Sequence, residues 1–310
     1  MKGLGVSFSK LKKLNAKGNS YRNMRLNGFT TLNVGGRANY FLEISTLENF
    51  LKVMFYLEEK GVKVFVLGAG SKILVSDKGF DGVVVKLVGD FARIEELDKN
   101  IIECGAGVLL AAAFAKTKEL GLSGFQQSVG IPATIGGAVY MNASAYDFEM
   151  SKLIKYVVAF LDGKLQYFSK DDCQFAYRKS VFQTNHAIIL RVGLNLESQD
   201  REQLMTEYRN ILMKRKNSQP IQYRSAGSVF KRQEGIVVSK VLEECGLKGL
   251  KVGGAEVSDK HANFIINKEN ATAQDIYNLI QVCKKNVRDK AGLNLEEEII
   301  FLGEFDEITG

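Results

Sequence analysis

Several features that would point to a metal site, a disulfide framework or a membrane are missing from this sequence of 310 residues. It has two prolines and no tryptophan, and its four cysteines form no C-x-x-C pair. With only two histidines besides, we expect neither a zinc site nor a catalytic metal. No apolar run approaches the roughly 18 residues of a membrane span, and the first residues lack the apolar core of a signal peptide. These absences predict a cytoplasmic protein without a membrane partner.

The composition is that of a globular protein. Hydrophobic residues make up 45% and charged residues 25%, which excludes an intrinsically disordered chain. The net charge of +7 suits nucleic acid, an acidic surface or an anionic small molecule. Because the basic residues are spread out, and the runs at 10–13 and 214–216 are not interleaved with aromatics, they read as solvated faces. We therefore expect no nucleic-acid partner.

Strand and helix patterns alternate along the chain in the manner of an α+β protein with mixed sheets. Ser45 and Glu48 predict a capping box at the start of a helix, and Asp162-Gly163 predicts a hairpin turn. Amphipathic helices are predicted over residues 200–217 and over 273–290, the second capped by Thr272. The last strand is predicted over 295–302.

Glycine is the abundant residue, with 30 copies, and three glycine-rich loops accompany apolar segments. They are TLNVGGRA (31–38), GAGS (68–71) and GIPATIGGAVYMNASAY (130–146). Glycine leaves backbone amides uncovered, so several N–H groups can converge on a phosphate. One such loop more often serves a turn, whereas three favour a large diphosphate ligand. A Walker motif is absent, and GAGVLLA (105–111) has Leu110 where a dinucleotide-binding loop needs its third glycine.

Three side chains are candidates for acid–base or charge-stabilising chemistry. Ser228 follows a glycine beside two cations, although a turn serine is the favoured reading from that segment alone. Arg178 is a cation inside an otherwise aromatic, strand-like segment. Glu298 shares a predicted strand face with Glu296 and Ile300, so it should be partly buried and in need of a partner. A solvated edge strand explains Glu298 equally well.

Together, seven collinear segments between residues 27 and 303 resemble the UDP-N-acetylenolpyruvoylglucosamine reductase family, also called UDP-N-acetylmuramate dehydrogenases. They are TLNVGGRA (31–38), VLGAGSKILVSD (66–77), GIPATIGGAVYMNASAY (130–146), FAYRKSVF (175–182), SAGSVFKR (225–232), GLKGLKVGGAEVSDKHANFIIN (246–267) and LEEEIIFLG (295–303). The length and the form of SAGSVFKR resemble the shorter, second type of this family. Three positions depart from its usual pattern: Lys72 replaces Asn, and Ala133 and Ser144 replace Gly.

The resemblance implies an FAD-binding fold of the vanillyl-alcohol-oxidase (PCMH) type. It implies two flavin-binding subdomains, residues 1–85 and 86–205, and an α+β substrate-binding domain, residues 206–310, whose last strand returns to the active site. The implied flavin contacts are Gly68, Ala69, Gly70, Ser71, Gly130, Ile131, Pro132, Gly136, Gly137 and Asn142.

The resemblance also implies the reaction. NADPH would reduce FAD and leave, and UDP-N-acetylglucosamine enolpyruvate would then enter the same cleft and be reduced to UDP-N-acetylmuramate for peptidoglycan synthesis. Hydride would pass from flavin N5 to C3, and Ser228 would protonate C2. Arg178 would hold the substrate carboxylate, and Glu298, if protonated, would donate a hydrogen bond to it. Further substrate contacts are expected from Tyr177, Lys231 and Arg232.

Two alternatives remain beside this prediction. One is an FAD-dependent oxidase of the same fold that acts on another hydroxy acid or sugar. The other is a basic nucleotide- or RNA-binding protein. The leading interpretation is a monomeric reductase, with the enolpyruvyl sugar nucleotide and NADPH as its ligands.

Overall fold

The computed structural model describes residues 5–307. The helices are α1 (Phe8–Leu14), α2 (Leu47–Glu59), α3 (Leu110–Leu120), α4 (Ile135–Tyr140), α5 (Met150–Leu153), α6 (Arg201–Ser218), α7 (Val238–Glu244) and α8 (Ala273–Ala291). The strands are β1 (Asn19–Arg25), β2 (Arg37–Ile44), β3 (Val64–Val66), β4 (Ile73–Val75), β5 (Phe80–Leu87), β6 (Ile94–Asp98), β7 (Ile101–Gly105), β8 (Leu122–Ser123), β9 (Ser144–Ala145), β10 (Phe148–Glu149), β11 (Ile154–Leu161), β12 (Lys164–Ser169), β13 (Ile188–Asn195), β14 (Glu197–Ser198), β15 (Arg224–Ser228), β16 (Lys251–Val252), β17 (Ala255–Val257), β18 (Phe264–Asn267) and β19 (Ile300–Leu302).

The first unit is a four-stranded sheet in the order β1-β2-β5-β3, covered by α2. Strand β5 pairs in parallel with β2 and β3, and the crossover between β2 and β3 is helix α2. The cap of α2 is Thr46, whose side chain accepts the Asn49 amide, so the prediction from Ser45 was one residue early. The apolar face of α2 includes Phe50, which is fully buried.

The second unit is a five-stranded antiparallel sheet in the order β12-β11-β13-β7-β6. Asp162 and Gly163 join β11 to β12 with positive φ angles of 50° and 72°, which confirms the predicted hairpin turn. The first two units share one hydrophobic core. In that core the Phe50 ring packs against Phe91 and Phe160, with centroids 5.9 and 5.4 Å apart.

The third unit is a four-stranded sheet in the order β15-β18-β17-β16, which packs with α7 and α8 around a second core. Both predicted helices of this part of the chain are confirmed, α6 with Asp200 as its cap and α8 with a capping box at Thr272. The predicted strand over 295–302 is present only as β19. This strand pairs in parallel with β4 and so joins the third unit to the first.

The first sheet extends to Leu87, two residues beyond the predicted boundary at residue 85, whereas the second and third sheets lie within residues 86–205 and 206–310. The domain boundaries stay predictions. Residues 1–4 and 308–310, at the two ends of those domains, lie outside the described residues. Within residues 5–307, no helix has the length and apolar character needed to cross a membrane. All four cysteines are free and buried, and burial raises the pKa of the Cys104, Cys173 and Cys283 thiols to about 12. These three thiols are therefore poor nucleophiles.

Candidate active site

A cleft of about 1270 Å³ is lined by residues from all three units. Its volume exceeds the usual range for a single small-molecule site and leaves room for a long ligand. More cations than carboxylates line the cleft, so it suits anionic ligands. No group of three or more potential metal ligands occurs in the part of the chain that the structure describes.

One side of the cleft is built from main chain. We call residues 68–71 and 130–137 the glycine wall. The predicted flavin contacts that line the cleft here are Gly68, Ala69, Gly70, Ser71, Gly130, Ile131, Pro132, Gly136 and Gly137. Gly70 has φ +66°, and a Cβ there would overlap the carbonyl oxygen of Phe29. A Cβ at Gly68 would lie 2.7 Å from Thr134 Oγ1. The glycine wall therefore has no space for a side chain at Gly68 or Gly70.

The glycine wall fits the FAD that the resemblance implies. Its uncovered amides suit a pyrophosphate, and the apolar residues Val66, Leu67 and Ile188 line the same cleft and suit a flat aromatic ring system. Thr31 also lines the cleft, and its Oγ1 is buried without a hydrogen-bond partner among the described residues. A buried hydroxyl without a partner costs free energy, which a polar ligand group would recover.

A second part of the cleft lining is a cluster of charged side chains, Lys72, Arg178 and Glu298, which we call the ion cluster. Glu298 is only 3% exposed. Its Oε1 lies 2.9 Å from Lys72 Nζ and 3.0 Å from Arg178 Nε. Lys72 Nζ also donates a 2.7 Å hydrogen bond to the backbone carbonyl of Ser228. The three predicted catalytic residues are thus brought to one place, together with a lysine.

Backbone pairing explains why residues so distant in sequence meet here. The Glu298 amide donates to the Val229 carbonyl at 2.7 Å, and the Ile300 amide donates to the Lys72 carbonyl at 2.8 Å. Residues 298–300 therefore cross from the end of β15 to the start of β4. The face predicted for a regular strand is wrong at Glu296, which is exposed and pairs with Lys231.

Arg178 lies at the corner of a tight turn rather than in the predicted strand-like segment. Ala176 and Lys179 exchange two backbone hydrogen bonds of 3.2 and 3.0 Å, and Arg178 has φ +54°. This left-handed conformation costs a non-glycine residue roughly 1 kcal/mol. The turn aims the guanidinium at Glu298, and Arg178 Nη1 also donates to Ser144 Oγ at 2.9 Å. Two of the three departures from the family pattern, Lys72 and Ser144, therefore contact the predicted catalytic residues.

The structure places Asn142 differently from the prediction, because this residue does not line the cleft. Its buried Nδ2 donates to Glu149 Oε1 at 2.9 Å and to the Ala176 carbonyl at 3.0 Å, and its Oδ1 accepts the Ser151 amide at 3.0 Å. Hydrogen bonds from Ser151 and Asn142 lower the pKa of Glu149. Asn142 therefore supports the turn that carries Arg178 instead of facing a ligand.

Tyr177, Lys231 and Arg232 are also absent from the cleft lining. Tyr177 is 43% exposed, and its hydroxyl oxygen accepts the Arg232 amide at 3.2 Å. The Arg232 guanidinium lies 5.9 Å from the centre of the Tyr177 ring. Lys231 is held by its ion pair with Glu296. Lys231 thus pairs with Glu296 and Arg232 with Tyr177, and none of the three predicted substrate contacts lines the cleft.

Arg215 lines the cleft and was missed, because residues 214–216 read as a solvated basic run. It is 6% exposed, and its Nη1 donates to Gln219 Oε1 at 3.2 Å. Its Nε and Nη2 are buried with no hydrogen-bond partner in the part of the chain described. Burial lowers the pKa of Arg215. The helical spacing of Leu204, Ile211 and Arg215 could have indicated that Arg215 is buried, because these three residues share the buried face of α6.

Comparisons with known proteins agree with this architecture. A family model described as an FAD binding domain matches residues 38–165, and one described as the UDP-N-acetylenolpyruvoylglucosamine reductase C-terminal domain matches residues 219–302. The chain is 38% identical to UDP-N-acetylenolpyruvoylglucosamine reductase of Caldanaerobacter subterraneus subsp. tengcongensis, over 96% of this chain and 99% of that protein. It is 39% identical to the enzyme of that name from Caldicellulosiruptor saccharolyticus, over 91% of both chains. The crystal structure of UDP-N-acetylenolpyruvylglucosamine reductase from Thermus caldophilus superposes with a TM-score of 0.79 at 33% identity, covering 92% of this chain and 99% of that one.

The fold and the cleft are those of an FAD-containing oxidoreductase, which confirms the predicted fold class and cofactor. More particularly, the chain belongs to the UDP-N-acetylenolpyruvoylglucosamine reductase family. It is an FAD-dependent reductase that acts on the enolpyruvyl C=C bond of UDP-N-acetylglucosamine enolpyruvate, with NADPH as reductant, in peptidoglycan synthesis. The alternatives of another oxidase or an RNA-binding protein are not favoured.

Proposed function

We propose that Arg178, Ser228 and Glu298 carry out the reduction of the enolpyruvyl substrate in this cleft. The observation that supports it is the buried contact between Glu298 and Arg178 at 3.0 Å, beside the strand that ends at Ser228. All three residues line the same cleft as the glycine wall. A buried carboxylate needs a cation or a hydrogen-bond donor, and here it has both cations of the ion cluster within 3.0 Å.

The glycine wall would hold FAD. The backbone amides of residues 68–71 would bind its pyrophosphate, and residues 130–132 with Gly136 and Gly137 would line the remainder. When bound, FAD supplies the hydride that it accepts from NADPH. The absence of side chains at Gly68 and Gly70 allows a ligand to approach the backbone closely.

The ion cluster would stabilise the charge that reduction creates. Addition of hydride at C3 leaves negative charge on C2 and the attached carboxylate. Contacts with Glu298 and Ser144 hold the Arg178 guanidinium in its orientation. Arg178 would bind the substrate carboxylate through the N–H groups of this guanidinium. Ser228 would then donate a proton to C2. Because a hydroxyl is a weak acid, the transfer depends on the basicity of the substrate anion and on nearby positive charge.

Arg215 would bind an anionic part of the ligand. Its Nε and Nη2 are buried without a protein partner, so a phosphate oxygen would satisfy both donors. Lys231 and Arg232 were predicted for the substrate diphosphate, but Arg215 lines the cleft and they do not. We therefore propose Arg215 for this contact.

The test is a visible spectrum of the purified protein followed by a coupled assay. We expect flavin absorbance, and NADPH oxidation that requires the enolpyruvyl sugar nucleotide. A colourless protein that takes up no FAD on reconstitution would contradict the proposal. Rapid flavin reoxidation by oxygen, without turnover of the enolpyruvyl substrate, would indicate an oxidase. The cytoplasmic location, the monomeric state and the absence of a nucleic-acid partner stay predictions, and gel filtration of the holoenzyme tests the second.

A further inference from the structure

Lys72 is the member of the ion cluster to which the proposed mechanism assigns no step of its own. It follows the backbone segment 68–71 directly and precedes β4. Its side chain is 25% exposed and lines the cleft, and its ammonium contacts the Ser228 carbonyl at 2.7 Å and Glu298 Oε1 at 2.9 Å. The charged groups that act on it are Glu298, which favours its cationic form, and Arg178, which opposes it.

Keeping a cation in this position costs free energy. Burial lowers the pKa of Lys72, and the attraction of Glu298 opposes that shift. Glu298 is buried as well, with its side chain only 2% exposed. The two charges stabilise each other across 2.9 Å, and removal of Lys72 would leave Arg178 as the one remaining cation of the ion cluster beside the buried Glu298. The pair is therefore a coupled unit rather than two independent side chains.

The backbone is shaped to receive the lysine. Gly227 adopts φ +71°, and a Cβ at this position would lie 3.4 Å from Lys72 Nζ. This left-handed residue interrupts the register between β15 and β18, because the paired positions shift between Ser225 and Ser228. Beyond the shift Ser228 pairs with Phe264, and its carbonyl oxygen accepts the Lys72 ammonium at 2.7 Å.

We propose that Lys72 is a positioning residue for the reduction of the substrate: its ammonium joins the Ser228 backbone to Glu298 and keeps Glu298 an ionised acceptor beside Arg178. The inference rests on the proposed roles of these three residues. It differs from the expectation that a protonated Glu298 donates a hydrogen bond to the substrate. Two cations and one carboxylate leave this end of the cleft with a net positive charge, which the substrate carboxylate complements.

The decisive variant is Lys72→Met, which keeps an unbranched side chain and removes the charge. We expect NADPH-dependent flavin reduction to stay close to native, because the glycine wall is untouched. Reoxidation of the flavin by the enolpyruvyl substrate should slow by roughly 100-fold, since a misplacement of about 1 Å can cost that much. Stopped-flow measurement of the two half-reactions separates these effects. Lys72→Arg, which retains the charge, should recover part of the lost rate.

Infrared spectroscopy supplies a measurement that does not depend on turnover. The difference spectrum between the native protein and Glu298→Gln isolates the carbonyl band of a protonated Glu298. We expect no such band in the native holoenzyme at neutral pH. It should appear in Lys72→Met, with Lys72→Met/Glu298→Gln as the reference. If Lys72→Met does not fold with FAD, Lys72→Asn is used instead. The infrared measurement on the native holoenzyme requires neither variant.

Lys284→Met is the matched control. Lys284 Nζ donates a 2.7 Å hydrogen bond to Glu297 Oε1, next in sequence to Glu298, and neither residue lines the cleft. Both half-reactions should match those of the native enzyme. A protonated Glu298 band in the native holoenzyme, or native substrate-dependent reoxidation in Lys72→Met, would overturn the inference. Failure of the native enzyme to reduce the enolpyruvyl substrate would instead reject the proposed function, while the infrared result would still report on Lys72.

Discussion

The two sides of the cleft present different parts of the chain. The glycine wall presents backbone atoms to the cleft and has no space for added side chains. At Gly70, for example, a Cβ would overlap the Phe29 carbonyl. The ion cluster offers side chains held by other side chains, with Lys72 and Arg178 on one oxygen of Glu298. We infer that the first side binds the cofactor by shape and that the second performs chemistry by charge. Substitutions on the two sides should therefore fail in different measurements.

The largest effect is expected for Ser228→Ala on the side-chain side. Flavin reduction by NADPH should remain nearly intact, whereas reoxidation by the substrate should fall by about 10²- to 10⁴-fold, the usual contribution of a positioned acid. Stopped-flow absorbance at the flavin bands measures both. Ser258→Ala is the control, because Ser258 Oγ accepts the Lys260 amide away from the cleft. Equal loss of both half-reactions in Ser228→Ala would mean that Ser228 is structural and that the two sides are not separable.

A substitution on the glycine wall should affect cofactor binding first. Gly70→Ala introduces a Cβ against the Phe29 carbonyl at φ +66°, which we expect to cost about 1–3 kcal/mol in strain. The ratio of FAD to protein and the temperature of thermal unfolding should both fall. Gly28→Ala, next to Phe29 but with open space around its added Cβ, is the matched control and should retain FAD. A fully flavinylated, stable Gly70→Ala protein would show that the wall tolerates side chains.

The smallest effect is expected at Arg215, which lines the cleft but belongs to neither the glycine wall nor the ion cluster. Arg215→Met should raise the KM for the enolpyruvyl sugar nucleotide by about tenfold, the low end for hydrogen bonds to a charged group. The value of kcat should change little. Because Arg215 is a buried cation without a carboxylate partner among the described residues, the thermal stability of the free protein should not fall. Lys216→Met, exposed on the same helix, tests for a general charge effect. An unchanged KM in Arg215→Met would exclude this contact.

The two sides also differ in how far the sequence reveals them. The glycine wall consists of two continuous segments, residues 68–71 and 130–137, and these loops together with residues 31–38 favoured a large diphosphate ligand. Arg178 and Glu298 were selected by residue type and resemblance. The burial of Glu298 and its need for a partner were predicted, but the backbone conformation around both residues was not. Arg178 lies in a turn because Ala176 pairs with Lys179, and the strand around Glu298 is broken because its neighbours bond to two different units.

The residues whose positions were predicted wrongly have one physical feature in common: tertiary contacts determine where their side chains lie. Lys231 and Arg232 are adjacent to a predicted catalytic serine, yet an ion pair with Glu296 and a contact with Tyr177 hold them outside the cleft. Tertiary pairing of this kind leaves no periodic signal. Arg215 had such a signal in the buried face of α6, which the neighbouring lysines obscured.

The path of residues 298–300 between β15 and β4 determines the order in which we expect the glycine wall and the ion cluster to form during folding. Contacts between segments far apart in sequence form late, because chain entropy must be lost before they are rewarded. The glycine wall draws on residues 68–137, whereas the ion cluster waits until the segment at Glu298 docks against both Val229 and Lys72. With FAD on the glycine wall, as proposed, we expect flavin colour to report that the first two units have folded. Turnover of the substrate reports that the last strand has joined the third unit to the first.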